Sequence, residues 1–212
     1  SVCYEAGPCG YEVYRQLCNL GIDCMVAAPF MIPRKPGDRV KTDRRDSQML
    51  ARLHRAGELT SVWVPSAEQE ALRDLVRGRA DFVLLQTQAR QRLNAFLLRH
   101  GKRFDGKCKW TQAHFRWLET IKCGFPSQQI VLQEYIDTVR HMHKRIKALD
   151  KQIELAGNES TLWSLIQNYM ALRGISRLTA TALAAELGDI TRFANAPQLM
   201  AYLGRVTYEQ ST

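Results

Sequence analysis

Residues 41–53 read KTDRRDSQMLARL and predict the start of a helix that carries two carboxylates, Asp43 and Asp46, in its first turn. Positions i and i+3 lie on one face of an α-helix, so both side chains can point at the same place. Two converging carboxylates suit Mg²⁺ or Mn²⁺. Acidic residues are also common in a first turn because they complement the helix macrodipole, so the spacing alone leaves both interpretations open.

The residues before this helix predict the opening of a parallel α/β sheet. A short apolar stretch ends at Glu5, helical spacing follows, and a second apolar stretch at residues 22–28 ends before Pro29. Strand, helix and strand in this order are typical of parallel sheets, whose active sites form beyond the carboxyl ends of the strands. Glu5 is therefore the candidate for a third metal ligand beside Asp43 and Asp46.

The charge of the chain predicts a polyanionic partner and favours nucleic acid over a membrane surface. Lysine and arginine number 30 against 21 acidic residues, which gives a net charge of +9. Residues 73–109 alone contain ten lysines and arginines against three aspartates, which favours a binding surface over general solubility. The alternatives are a solvated coiled-coil face there and an ordinary solvated loop at residues 32–41. The candidate phosphate contacts in these two segments are Arg34, Lys35, Arg39, Lys41, Arg73, Arg77, Arg90, Arg92, Arg99, Lys102 and Arg103.

Two long helical patterns occupy the middle of the chain. The first covers residues 66–99, and the second, residues 127–155, carries apolar residues in heptad spacing. Two such helices flanking a short excursion predict either an antiparallel arm or a dimerisation coiled coil. After them, a helix, the turn Arg173-Gly174-Ile175-Ser176 and another helix predict a helix-hairpin-helix-like unit, whose turn amides could bind phosphate. An alanine-rich helical pair packed in a core is the alternative interpretation.

The sequence also argues against several classes of protein. No apolar run is long enough to span a bilayer, and no signal peptide is visible. The six cysteines form no CxxC pair and have no histidine at zinc-finger spacing, which indicates a reduced, cytosolic protein without structural zinc or disulfides. We expect the sequence to be truncated at both ends, because Ser1 reads as the middle of a strand and Thr212 follows no terminal element.

Two groups of motifs, far apart in the chain, match one known family. The first is Glu5-Ala6 followed by Gly-x-x-Gly-Tyr and then by Lys41-Thr42-Asp43-x-x-Asp46-x-x-x-Leu50-Ala51. The second runs from Arg173-Gly174-Ile175-Ser176 through Ala185-Glu186-Leu187-Gly188-Asp189-Ile190 to Tyr202-Leu203-Gly204. In content and order they resemble the nuclease-like and transposase domains of the DEDD-type insertion-sequence transposases, site-specific recombinases that are guided by a bridge RNA.

The resemblance implies an architecture of three parts. These are an α/β RuvC-like (RNase H-like) domain in residues 1–65, a long helical coiled-coil arm in residues 66–156, and a small all-α helix-hairpin-helix-like domain in residues 157–212. The implied partners are DNA, a guide RNA and further copies of the chain in a dimer or tetramer, with no membrane. The implied location is the bacterial cytoplasm, in association with the nucleoid.

The resemblance also implies a reaction, in which DNA is cleaved and rejoined with the help of Mg²⁺ (or Mn²⁺) and a serine nucleophile. Glu5, Asp43 and Asp46 match the last three of the family's four acidic metal ligands, and the first is expected on a strand before Ser1. Ser211 is the position that best matches the nucleophile. The alternatives are a non-catalytic nucleic-acid-binding remnant and a RuvC-like nuclease without the serine chemistry.

Overall fold

The computed structural model of the chain describes residues 1–33 and 42–204. The chain divides into two compact units, Ser1–Ser66 and Ala67–Thr212, which we describe separately. Within the described residues it forms one two-stranded parallel sheet and eight α-helices. These elements are β1 (Val2–Glu5), α1 (Glu12–Asn19), β2 (Cys24–Ala27), α2 (Asp43–Ala56), α3 (Ala67–Arg99), α4 (Gln112–Thr120), α5 (Pro126–Glu159), α6 (Trp163–Met170), α7 (Arg177–Leu187) and α8 (Ala196–Tyr202).

The first unit opens with the predicted strand–helix–strand order, which the structure confirms. Strand β1 pairs parallel to β2 in a register that sets Val2 beside Cys24 and Glu5 beside Ala27. The other edge of β2 is also occupied, because the Val62 amide donates a hydrogen bond to the Val26 carbonyl. Strand β2 is therefore the central strand, and its side chains at Val26 and Ala27 are fully buried.

Helix α2 begins and ends where its local sequence specifies. The Thr42 hydroxyl accepts a hydrogen bond from the Arg45 amide, and this cap satisfies one of the free amides of the first turn. Gly57 ends the helix in the left-handed conformation, at φ 72°, which glycine adopts without steric cost. The partly buried positions of the helix are Asp46, Met49, Leu50, Leu53 and His54, a stripe at spacings of three and four that marks its packed face.

The second unit is organised by the two long helices, α3 and α5, which pack against each other in antiparallel directions. Arg79 pairs with Asp150, whereas the ring of Phe96, further along α3, contacts Tyr135, which is earlier in α5. This arrangement is the predicted antiparallel arm, and pairing of arms between copies stays a prediction. The buried core between these helices and α4 consists of Ala89, Leu93, Phe96, Leu97, Leu118, Ile121, Leu132, Ile136 and Val139.

Helices α6 and α7 form the predicted helical hairpin. Gly174 occupies the turn at φ 86°, and the Ser176 hydroxyl caps α7 by accepting a hydrogen bond from the Thr179 amide. Ala180 and Ala184 of α7 are completely buried against Ile166 of α6, so the alanines serve packing. Phosphate binding by the turn, and a boundary between arm and hairpin at residue 157, stay predictions. Helix α7 also packs against α3 and α5, within the same unit.

Gly157 of α5 offers a sharp test of this packing. A side chain there would place its Cβ 3.0 Å from Oγ1 and 3.2 Å from Cγ2 of Thr181, which is fully buried and bonded to the Arg177 carbonyl. We expect Gly157→Val to lower the free energy of unfolding by about 2 kcal/mol through overpacking. The measurement is the urea midpoint at an unchanged m-value.

The matched control is the mid-helix Gly78 of α3, because no described atom lies within 4 Å of its Cβ position. Gly78→Val should change the free energy of unfolding by less than about 0.5 kcal/mol, since valine is a slightly better helix former than glycine. Equal effects of the two substitutions would contradict the close contact between α5 and α7.

Candidate active site and nucleic-acid surface

Helix α2 lies against strand β1 in a definite register. The Ser1 hydroxyl is 2.8 Å from His54 Nε2, and the Cys3 thiol donates to the Leu50 carbonyl at 3.8 Å. Moving two residues along β1 advances about 6.6 Å, and moving four residues back along α2 advances about 6 Å in the same direction. Each such step therefore brings matching positions of the strand and the helix side by side. Extrapolated by one further step, this register predicts that Glu5 lies level with Asp46.

This register leads us to expect the predicted carboxylates at one end of the first unit. Glu5 is exposed at the carboxyl end of β1. Asp46 is half-buried on the packed face of α2, and Asp43 lies one turn earlier on the same face and is exposed. Glu5 thus lies at the edge of the sheet where parallel α/β proteins place their active sites, and the grouping of Asp43 and Asp46 with it stays a prediction.

The three candidate ligands are all carboxylates, the kind of ligand that Mg²⁺ and Mn²⁺ prefer. The side chains do not form a closed centre, however. Across residues 1–33 and 42–204, no three histidine, cysteine, aspartate or glutamate side chains are grouped so that they could hold a metal ion. The site formed by Glu5, Asp43 and Asp46 therefore stays a prediction.

The predicted phosphate contacts fall into several environments. Arg34, Lys35, Arg39 and Lys41 lie outside the described residues, as does the predicted nucleophile Ser211. The others are spread along α3 and the connection that follows it. We call residues 92–124, which comprise the end of α3, α4 and the connections on either side of α4, the arm tip.

Arg73 does not lie on a binding surface, and its predicted role in phosphate contact needs correction. It is buried between α3 and α7, where its Nε donates to the Ala185 carbonyl at 3.1 Å and its Nη2 to the Glu186 carbonyl at 3.3 Å. Arg77 is exposed and forms a two-pronged ion pair with the Glu186 carboxylate, at 2.7 and 2.8 Å. Both arginines therefore stabilise the packing of α7 against the N-terminal part of α3.

The remaining candidates lie at or near the arm tip. Arg90 is half-buried, with its guanidinium 5.1 Å from the centre of the Trp110 ring. Arg99 is exposed and lies 5.9 Å from the centre of the Phe96 ring. The others, Arg92, Lys102 and Arg103, are exposed. These exposed cations stay candidates for contact with a nucleic-acid backbone.

Comparison with known proteins places the chain in a family. A transposase family model of the DEDD IS110 type matches residues 2–101, and the model of the transposase IS116/IS110/IS902 family matches residues 166–212. The chain belongs to this transposase family. The two matches include both the carboxylate edge of the first unit and the helical hairpin of the second.

Individual relatives agree with this placement. A putative transposase, y4qE, of Sinorhizobium fredii is 48% identical over 210 residues, which cover 99% of this chain and 50% of the relative. The transposase for insertion sequence element IS1533 of Leptospira borgpetersenii is 36% identical, over 91% of this chain and 56% of the relative. A probable family 20 transposase of Pseudomonas aeruginosa is 29% identical, over 96% and 61%. The chain thus spans roughly half the length of these transposases.

Two further findings concern the helices and the cysteines. Within the described residues, no helix combines the length and the apolar character needed to cross a membrane. All six cysteines are free thiols.

Substitutions of Arg73 and Arg92 should have different effects, the first on folding and the second on nucleic-acid binding. We expect Arg73→Gln to lower the free energy of unfolding by about 2 kcal/mol, because it removes charged hydrogen bonds to buried carbonyls. It should leave the nucleic-acid affinity of the folded protein unchanged. Arg92→Gln should do the reverse, weakening binding to all sequences alike and lowering the slope of affinity against salt by about 1.

The measurements for this pair are urea unfolding and fluorescence anisotropy of labelled nucleic acid at several salt concentrations. A loss of affinity for folded Arg73→Gln that equals the loss for Arg92→Gln would contradict the assignment of Arg73 to packing.

Sequence reasoning missed one functional candidate, His114 at the arm tip. It is completely buried, yet its Nε2 has no hydrogen-bond partner within the described part of the chain. A single histidine in an irregular segment gives no signal by itself. The aromatic residues around it, Phe104, Trp110 and Trp117, were the available clue, because they concentrate in a segment that is also rich in cations.

Proposed function

We propose that the chain provides the carboxylate edge and the nucleic-acid-binding arm of an insertion-sequence transposase that cleaves and rejoins DNA with a divalent metal ion and a serine nucleophile. The observation that carries the proposal is the register of α2 on β1, from which we infer that Glu5 lies level with Asp46. This register lies in the segment that matches the DEDD transposase model. The parallel β1–β2 pair supports a RuvC-like fold for the first unit.

Glu5, Asp43 and Asp46 would hold the metal ion, which is Mg²⁺ or Mn²⁺. When bound, the ion would neutralise phosphate charge at the reacting strand. The half-buried position of Asp46 on the packed face of α2 limits its freedom to move, so it would act as the fixed ligand. The exposed Glu5 and Asp43 would complete the set on either side of it.

Ser211 would act as the nucleophile. Its hydroxyl oxygen would bond to the phosphorus as the bond to the leaving strand oxygen breaks, and the proton that the hydroxyl loses is balanced by the one the leaving oxygen gains. The phosphoserine formed in this way conserves the energy of the broken bond for rejoining. This covalent intermediate is what would distinguish the proposed recombinase from a RuvC-like nuclease.

The exposed cations of the second unit would hold the backbone of DNA and of a guide RNA. Charge contacts of this kind fix position without reading sequence, which suits an enzyme whose target is chosen by base pairing with RNA. Copies of the chain would assemble as a dimer or tetramer, because two DNA ends have to meet. We place this activity in the bacterial cytoplasm, at the nucleoid.

Metal removal tests the proposal. We use a protein of the relatives' full length that contains this chain, with labelled DNA carrying an insertion-sequence end. We expect a covalent protein–DNA adduct in Mg²⁺ or Mn²⁺, and its loss on chelation by EDTA, followed by recovery when the metal is restored. Cleavage that is indifferent to EDTA would overturn the metal assignment.

One observation favours a second candidate, a non-catalytic nucleic-acid-binding module. It is the absence, within the described residues, of a closed three-ligand group. DNA binding with neither cleavage nor adduct, under any of the metal conditions above, would decide for this candidate.

A further inference from the structure

The arm tip carries a cavity of about 700 Å³ that is open to solvent on one side. It lies between the end of α3, the connection that follows and α4. A volume in this range is typical of sites that bury a small organic molecule or cofactor, and it is sufficient for one nucleotide.

The lining of this cavity is aromatic and apolar, and its charged groups are all positive. Of its eleven lining residues, all in the described part of the chain, none is acidic. Aromatic side chains combined with lysine or arginine are how proteins hold an unpaired base and the phosphate attached to it. The residues that provide this chemistry are Leu98, Phe104 and Trp117 for the base, and Lys102, Arg103 and Lys109 for the phosphate.

His114, which also lines the cavity, adds a hydrogen-bond donor. Its Nδ1 accepts a hydrogen bond from the Trp110 backbone amide at 3.2 Å, so in the neutral ring the proton lies on Nε2. Burial, and to a smaller extent the nearby Lys109, lower the pKa of His114, which favours the neutral ring. Nε2 is buried and has no partner within the described residues, and a donor of this kind gains from an acceptor that a ligand supplies.

The rings around His114 hold it in a fixed orientation. Trp117 stacks on it, with ring planes 22° apart, and Phe104 meets it edge to face at 4.8 Å between ring centres. The positive φ of Trp110, 67°, is rare for a bulky residue and places its amide at Nδ1. The tautomer of His114 is thus specified by the backbone, and the donor is ready before any ligand binds.

We propose that the arm-tip cavity binds one unpaired nucleotide of a nucleic-acid strand. Its base lies among Leu98, Phe104 and Trp117 and presents a ring nitrogen or carbonyl to His114 Nε2, while its phosphate lies against Lys102 and Arg103. The inference rests on the proposed function, in which this unit binds nucleic acid, and adds that the bound strand is unpaired at this point.

The experiment compares one charge placed inside the cavity lining with the same charge outside it. Leu98, in the lining, is 80% exposed, and Leu84, outside it on the same helix, is 62% exposed, so neither substitution disturbs the core. The two positions are about 21 Å apart along α3. The probes are a short single strand with one 2-aminopurine, made as RNA and as DNA, and the fully paired duplex of the same sequence.

We expect Leu98→Glu to weaken single-strand binding about tenfold, since the carboxylate repels the phosphate and replaces an apolar contact with the base. Leu84→Glu should weaken it by less than about twofold, the effect of one remote charge. Duplex binding should respond equally to both substitutions. Phe104→Leu, checked for folding by circular dichroism, should remove the quenching of 2-aminopurine by stacking. Tighter binding of the RNA or of the DNA strand identifies which one the cavity takes.

Equal weakening of single-strand binding by the two glutamates, or no effect of either, would overturn the proposal. The catalytic proposal is tested separately by metal-dependent cleavage. Cleavage without a cavity effect removes only this inference, and a cavity effect without cleavage removes only the catalytic proposal.

Discussion

Replacing Asp46 by asparagine is expected to slow metal-dependent DNA cleavage by about 10³-fold, because loss of one carboxylate ligand forfeits several kcal/mol of charge stabilisation. Asparagine preserves the shape of the side chain, so helix α2 and its packed face should remain intact. The measurement is single-turnover cleavage of labelled DNA over a range of Mg²⁺ and Mn²⁺ concentrations, with a protein of the relatives' full length.

The control is Asp23→Asn, the same chemical change at an exposed position just before β2, at the opposite end of the sheet. It should leave cleavage unchanged. Glu5→Gln should match Asp46→Asn, and the double variant should be no slower than either single variant, because residues that serve one ion act as a unit. Full activity of Asp46→Asn, or additive losses in the double variant, would refute a shared metal site.

Replacing Ser211 by alanine is expected to abolish the covalent protein–DNA adduct and to reduce strand exchange by at least about 10³-fold, since no other group takes over from a lost nucleophile. Binding of DNA should be unchanged, because the substitution removes only one oxygen atom. The adduct is measured as labelled DNA that migrates with the protein in denaturing gels, and strand exchange by the recombinant DNA product.

Ser127→Ala, an exposed position in the first turn of α5, is the matched control and should retain full activity. Hydrolytic cleavage that survives in Ser211→Ala without strand exchange would identify a RuvC-like nuclease. Strand exchange that survives would show that Ser211 is not the nucleophile.

The sequence predicts the elements of this fold well where local chemistry decides them. Thr42 and Gly57 bound α2 because a hydroxyl cap and a left-handed glycine act within one turn of the helix. Gly174 and Ser176 specify the hairpin turn in the same way. The family resemblance also followed from the sequence, because its motifs surround such locally determined positions.

The sequence predicts the surroundings of single side chains less well, because these depend on contacts between distant elements. Arg73 and Arg92 look alike in a count of charges, yet one is buried under α7 and the other is exposed. A clue was present, since Arg73 shares a helical face with the apolar Leu72 and Val76. The register of α2 on β1 had no such clue, because it depends on contacts between the two elements, such as that of Cys3 with the Leu50 carbonyl.

Arg73 and Arg77 form a joint between α7 and the N-terminal part of α3, and α3 sets the distance from this joint to the arm tip. Arg77, in that joint, and Arg99, at the far end of the same helix, are 22 residues apart, which corresponds to about 33 Å. Arg99 is therefore held at a set distance from the contact with α7, because one continuous helix, and no flexible connection, lies between them.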